Sequence, residues 1–347
     1  MDSKSSGGRV GIRDVAHALG VSLMTVSLAL RNSPRLSLKT REKVRKMADK
    51  MGYRPDPEVA RLMSRLRQSG GRRSNAMIAL ADLSMREPGT GDGYYSQVLH
   101  GALERAEALG FQVMQAMLGE MNCSVPRLLN ILYNRGVTGI LLLPPKVPLT
   151  LPLQLDWSKF AVVSTTYAIS PHLVNRVVPH QFIDMCRALR RLEGAGFKRI
   201  GIFFETDFEE RTLYQFTAAI TLLGRADWIY RTRSRHELPG KEVRDWIEAR
   251  RPEIILAPFV EQLHPLLEKL PVASRPRLYS LGVSNLDGIP CWEQRPRAIG
   301  AYGVNLLVGM IHNSEFGLPE SPATTMLHGF FRDEFEATGA DDGGMKF

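Results

Sequence analysis

Residues 10–51 read VGIRDVAHALGVSLMTVSLALRNSPRLSLKTREKVRKMADKM, and three short helices follow from that stretch alone. Ile12, Val15, Ala16 and Leu19 recur at i, i+3, i+4 and i+7, the spacing of one apolar helix face. Gly20 supplies the left-handed residue of a tight stop, and Ser22 is a good N-cap for a second helix from Leu23 to about Arg31. In that helix Val26, Ala29 and Leu30 point inward, leaving Leu23, Met24, Thr25, Ser27, Leu28 and Arg31 outward. After Asn32-Ser33-Pro34, Ser37 caps a third helix from Leu38 to Met51. Its buried stripe is Val44, Met47, Ala48 and Met51, and Lys39, Arg41, Lys43, Arg45, Lys46 and Lys50 lie on its outer surface. Two helices joined at Gly20-Val21-Ser22 and followed by a third form a helix-turn-helix.

Charge is distributed to match. Residues 1–75 hold 17 Lys and Arg against 6 Asp and Glu, whereas the remaining 272 hold 28 against 30. The net charge of +9 is therefore a property of the head, and a positive head on a near-neutral body is the footprint of a chain that docks one end on phosphates. Outward Leu23, Met24 and Leu28 then acquire a use in the major groove, where apolar side chains meet thymine methyls. The alternative is that Leu23 and Leu28 pack on a neighbouring segment. A basic helix face alone is an ordinary solvated surface. Beside a helix-turn-helix, Lys39, Thr40 and Arg41 at the start of the third helix are placed for phosphate contact.

A chain of 347 residues exceeds what one core usually supports, so a small head and a larger body of one or two lobes are expected. No run of eighteen apolar residues occurs and MDSKSSGGRV is not a signal peptide, which points to the cytoplasm and away from a membrane. Cys123, Cys186 and Cys291 are odd in number and widely spaced, so they read as reduced thiols rather than as a metal site. Enzyme readings lack parts: there is no Gly-rich phosphate loop and no G-x-S-x-G, and no cofactor is expected. His100, His180 and His264 are isolated, and Glu209-Glu210 reads as a solvent-facing pair.

From Asn75 short apolar runs alternate with amphipathic stretches. Residues 76–81, 111–117, 139–143, 160–164 and 200–204 read as strands, with helices over 97–109 and 125–134 between them. The alternation continues through 254–258 and 277–281, enough for a second parallel sheet. Two open sheets place a ligand in the cleft at their carboxyl ends.

Five blocks of the head resemble the LacI family of bacterial transcription regulators. They are Asp14-Val15-Ala16, Gly20-Val21-Ser22, Thr25-Val26-Ser27, Ser37 to Val44, and Gly52-Tyr53-Arg54-Pro55. The resemblance continues more loosely in the body at Gly101-Ala102, Arg135 to Ile140, Gly196 to Ile200 and Ile299-Gly300. It implies a small all-α helix-turn-helix domain over 9–56, a hinge helix and linker over 57–74, and a two-lobed α/β periplasmic-binding-protein-like (type I) domain with two parallel sheets over 75–340. The chain would cross between lobes near 180, 294 and 326. In that family Thr25 and Ser27 would contact phosphates, while Leu23, Met24 and Leu28 read bases; Ser22 and Arg54, with Lys39, Thr40 and Arg41, complete the expected DNA-binding set. Leu28 stands where the family most often has Arg, so specificity should lean on methyl contacts, on Arg31 and Arg35, and on DNA shape. The hinge helix would wedge a leucine between base pairs; an ungapped alignment makes that residue Leu62, a one-residue shift makes it Met63. The bland alternative is a linker with some helical tendency.

For a ligand, Arg211 matches the arginine that in the family binds effector hydroxyls, although an ion pair with Glu209 or Glu210 would explain it equally well. Pro258-Phe259 replaces the family's Asn-Asp, and Ser284 or Val283 its later Asp. The expected cleft residues are Tyr94, Tyr95, Ser164, Thr166, His180, Arg211, Phe259, Ser284 and Trp292; with two polar clamps replaced, the set fits an oligosaccharide or another flat ligand better than a standard monosaccharide sugar, and it fits an empty structural cleft almost as well. The expected function is a sequence-specific regulator, a repressor, acting as a homodimer on a double-stranded operator with a small-molecule effector. The competing expectations are a ligand-insensitive DNA-binding protein whose body only dimerises, and a solute-binding protein, which the basic head argues against.

Overall fold

A computed structural model describes residues 10–30, 36–53, 76–84, 93–233, 238–282, 286 and 288–332. The chain divides into two units, Met1–Ser74 and Asn75–Phe347.

The first unit contains α1 (Ile12–Leu19), α2 (Leu23–Leu30) and α3 (Leu38–Lys50). Gly20, at φ 65°, ends α1: its N–H donates to the His17 carbonyl at 3.2 Å and the Val21 N–H reaches back to Ala16 at 3.1 Å. The chain bends by 109° there before α2 begins. The other two helices start with one device, since Ser22 Oγ accepts the Thr25 N–H at 3.1 Å and Ser37 Oγ accepts the Thr40 N–H at 3.2 Å. Gly52, at φ 68°, ends α3 with the Tyr53 N–H donating to the Ala48 carbonyl at 2.9 Å. Val15, Ala16, Val26, Ala29, Val44 and Ala48 form the core. Leu30, Met47 and Met51 are only half-buried, so the core is narrower than periodicity implies. Short side chains let the three helices approach closely and displace the longer ones to the rim.

The second unit begins with β1 (Met77–Asp82), α4 (Gly93–Ala108), β2 (Gln112–Met117), α5 (Leu118–Met121), α6 (Val125–Asn134) and β3 (Val137–Leu142). It continues through β4 (Leu149–Thr150), β5 (Ala161–Ser164), β6 (Ile169–Ser170) and β7 (Asn175–Pro179). Next come α7 (Gln181–Gly194), β8 (Ile200–Glu205), α8 (Thr206–Arg211), α9 (Gln215–Leu222), β9 (Ile229–Thr232), α10 (Gly240–Arg250), β10 (Ile254–Ala257), α11 (Val260–Glu268) and β11 (Arg277–Ser280). The last elements are β12 (Cys291–Glu293), α12 (Pro296–Asn313), β13 (Thr324–Leu327) and β14 (Phe330–Arg332).

One sheet has the order β13-β7-β5-β3-β1-β2, all parallel. The other has the order β14-β12-β11-β10-β8-β9, parallel except for the antiparallel edge strand β14. The chain reaches this edge strand directly from β13 of the first sheet, through the two-residue link His328-Gly329. The chain changes sheets after Pro179, at Gln294-Arg295 and at His328-Gly329.

The buried strands are continuous apolar runs covered on both faces, and alternate residues serve opposite layers. Ile78, Leu80, Leu141 and Val163 face α4 and α12, whereas Ala79, Ile140, Leu142 and Val162 face α6. Ile202, Phe204, Ile254 and Leu256 face α7 and α9, and Phe203, Ile255 and Ala257 face α10 and α11. The helices α4 and α12 touch backbone to backbone: a Cβ on Gly300 would lie 2.0 Å from the Val98 carbonyl oxygen, and one on Gly101 2.0 Å from that of Arg297. Among the described residues no single helix is long and apolar enough to cross a membrane, and no group of three or more His, Cys, Asp or Glu could hold a metal ion.

Candidate functional site

The head presents α2 and the start of α3. Leu23 is 45% exposed and Met24 70%, whereas Thr25, Ser27 and Leu28 are half-buried. Ser22 and Lys39 are exposed; Thr40 and Arg41 are half-buried. The Ser22 and Thr25 hydroxyls bond each other at 2.9 Å, as do those of Ser37 and Thr40 at 2.8 Å, so both helix starts carry a fixed hydroxyl pair. Helix starts attract anions because their first N–H groups lack internal partners. Leu38, the first residue of α3, is 69% exposed and was not singled out from sequence. Its signal was an apolar residue off the buried stripe. Arg31, Arg35, Arg54, Leu62 and Met63 lie outside the described residues, as does Ser284.

In the second unit the carboxyl ends of both sheets border a cleft of about 510 Å³. Tyr94 and Tyr95 at the start of α4, Pro144-Pro145 after β3, residues 165–168 after β5, and Gln181 at the start of α7 line one side. Phe208, Arg211 and Thr212 after β8, Pro258, Phe259, Glu261 and Gln262 after β10, and Leu281-Gly282 after β11 line the other. Of the expected residues, Tyr94, Tyr95, Thr166, Arg211 and Phe259 line this cleft. The Tyr95 hydroxyl donates to Met117 Sδ at 3.2 Å, Phe208 and Phe259 meet edge to face at 5.4 Å, and Arg211 Nε donates to the Asp207 carbonyl at 3.3 Å.

Ser164, His180 and Trp292 are not in the lining, a correction to the expected set. Ser164 is fully buried at the end of β5, its hydroxyl donating to the Thr166 carbonyl at 3.1 Å. Trp292 faces the core and meets Phe331 edge-on at 4.3 Å. His180 turns to a sheet crossing, where its ring stacks on His328 with centroids 5.0 Å apart; burial and His328 together lower its pKa. There Asp184 accepts the Gly329 N–H at 3.0 Å, tying the first crossing to the third, and burial raises its carboxyl pKa. Sequence reasoning missed Gln181, Gln262 and Gln294. Gln294 donates to the Leu281 carbonyl at 2.8 Å, while the Oε1 atoms of Gln181 and Gln262 are buried without a hydrogen-bond partner. The only signal was adjacency, since Gln181 follows His180 and Gln262 follows Phe259 by three.

Comparison with known proteins follows the same division. The model for "Bacterial regulatory proteins, lacI family" matches residues 11–56. The Maltose regulon regulatory protein MalI of Vibrio furnissii is 30% identical over 135 residues, 39% of this chain and 89% of that protein. The chain belongs to the lacI family. Another lacI-family relative, the HTH-type transcriptional regulator DegA of Bacillus subtilis (strain 168), is 34% identical over 130 residues, 38% of this chain; the match spans about a third of DegA, 35% of its length. The lac repressor bound to ONPG in the repressed state superimposes with a TM-score of 0.58 at 16% identity, covering 94% of this chain and 99% of that one. The transcriptional regulator CelR in complex with cellobiose gives 0.55 at 18% identity, covering 94% and 99%. At such identities the likeness is one of fold: a helical head followed by an α/β body of the type I binding-protein kind.

Proposed function

We propose that this chain is a cytoplasmic, sequence-specific transcriptional repressor that binds a pseudo-palindromic operator as a homodimer, with its affinity modulated by a small molecule in the body's cleft. In this reading residues 9–56 form the DNA-binding domain, 57–74 the hinge helix and linker, and 75–340 the ligand-binding and dimerisation domain. The observation that carries it is the face of α2: Leu23 and Met24 stand exposed beside capped helix starts, apolar reach flanked by anion-seeking N–H groups. A head this small makes few contacts, which is why two half-sites are required. Leu28→Arg is expected to move the preferred base at one position of each half-site toward guanine, through a bidentate contact, while leaving binding intact. Site selection from a randomised operator library measures this, and an unchanged preference would remove α2 as the reading helix.

The effector in this proposal is carbohydrate-like, a sugar or an oligosaccharide. Aromatic faces at Tyr94, Tyr95 and Phe259 favour it, together with the Arg211 fork. A second reading, a ligand-insensitive DNA-binding protein whose body serves dimerisation, is favoured by Pro258-Phe259 standing where polar clamps would serve a sugar. An effector can shift DNA affinity only by binding one state of the protein more tightly than another. A mobility-shift titration on the upstream DNA, run against a carbohydrate panel, is expected to reveal a compound that changes affinity and raises thermal stability. If no compound does either, the second reading stands.

A further inference from the structure

The end of the second sheet opposite the cleft carries a groove of about 1160 Å³, bordered by the loops that lead into β8, β10 and β11. The stretches 195–199, 250–253 and 269–277 hold seven Lys and Arg against Glu253 alone, on a body whose charges nearly cancel in sum. Glu253 is spent locally: it accepts the Lys198 and Arg199 N–H groups at 2.8 and 3.0 Å and pairs with the Arg199 guanidinium at 2.9 Å, which together hold its pKa low. Glu248 on the wall and Glu268 beside it leave a positive surplus. Basic residues at helix C-termini are favoured by the helix dipole, which accounts for Arg250 and Lys269. Arg275 donates to the Glu268 and Leu270 carbonyls at 2.7 and 3.2 Å, just past the end of α11, and Arg277 lies over the Phe197 ring at 5.5 Å; both bring their charge to the groove wall.

The same chain carries the complementary charge. Residues 333–347 hold five Asp and Glu, all within 333–342, against one Lys. Strand β14 runs antiparallel to its sheet, with Arg332 opposite Cys291 and Cys291 opposite Ser280, so the chain leaves Arg332 heading toward the sheet end where β11 begins at Arg277. Three residues along a strand and two strands across place Arg277 about 10 Å away in each direction. Ten residues span up to about 33 Å. We propose that this basic groove docks the acidic segment Asp333–Asp342 of its own chain. Phe335, between Glu334 and Glu336, has an apolar counterpart at the rim in Val272, which is 83% exposed.

Zero-length carbodiimide coupling of the full chain, read by mass spectrometry, tests the docking directly. Lys198 or Lys269 should be joined to carboxylates of 333–342, and the link should fade in about 1 M salt, where charges are screened within about 3 Å. The exposed pair Lys159–Asp156, 3.7 Å apart, supplies the internal control. A control link without a tail link overturns the proposal, and so does a tail link found only between copies in a mixture of isotopically light and heavy protein. A labelled peptide of residues 333–343 gives a second readout. It should bind a chain truncated after Arg332 about ten-fold more tightly than the full chain, whose own segment competes at an effective concentration of about 1 mM. Equal binding to both chains overturns the docking. Arg275→Gln with Arg277→Gln should weaken peptide binding to the truncated chain; if that variant does not fold, the coupling experiment on the unaltered chain still decides.

Discussion

Gly300→Ala is expected to lower the melting temperature of the body by about 6–12 °C. The added Cβ would meet the Val98 carbonyl oxygen at 2.0 Å and the Ala102 nitrogen at 2.8 Å, both backbone atoms of α4 that no rotamer change can move aside. Overpacking of a core costs about 1–3 kcal/mol where side chains can shift, and contact with backbone belongs at or above the top of that range. For a domain of this size about 3 kcal/mol corresponds to a shift of about 2–4 °C per kcal/mol. The same helix supplies a control, because a Cβ on Gly309 meets nothing within 4 Å. Gly309→Ala should therefore stabilise by up to about 1 kcal/mol through helix propensity alone. Calorimetry on the two variants separates the readings: equal, small effects would show that α4 and α12 do not depend on a glycine contact.

That helix pair also explains what sequence could and could not reveal. Ile299-Gly300 is visible in the sequence only as a matched block, because α12 carries three glycines and apolar residues on several faces, so neither propensity nor periodicity marks its 18 residues. The three head helices were legible because local signals coincide within a few residues of one another. Gly20 and Gly52 take the left-handed stops, and Ser22 and Ser37 bond their own helix starts. The central strands were legible as apolar runs. Strands β12 and β14 are three residues each and exist only because the chain crosses between sheets beside them, while β7 contains Arg176, buried and bonded to His172 at 2.7 Å, which breaks the apolar signature. The cleft was legible by residue type but not by direction. Tyr94, Tyr95 and Phe259 reach it, yet His180 turns to a crossing to stack on His328, more than a hundred residues away in sequence, and Trp292 turns into the core against Phe331.

Removing Lys39 and Arg41 together should cost about a thousand-fold in operator affinity near physiological salt and leave base preference untouched. Each phosphate contact contributes about 0.9 to the slope of log K against log salt. In the proposed homodimer two contacts per head become four, so the slope should flatten by about 3.6, and at about 0.15 M salt that slope change is itself about three decades of affinity. The effect must fall alike on operator and random DNA, because phosphates carry no sequence. Leu28→Arg makes the opposite prediction, a changed preference with most of the slope retained. Titrations at several salt concentrations on both DNAs distinguish phosphate contact from structural damage. The distinction matters most for Arg41, whose side chain is half-buried with Nε in the interior, so its loss can also loosen α3. Lys39 is exposed, and Lys39→Ala alone should flatten the slope by about 1.8 without changing the melting temperature. Lost affinity at an unchanged slope would place these residues in the support of the fold and return the phosphate contacts to the capped start of α2.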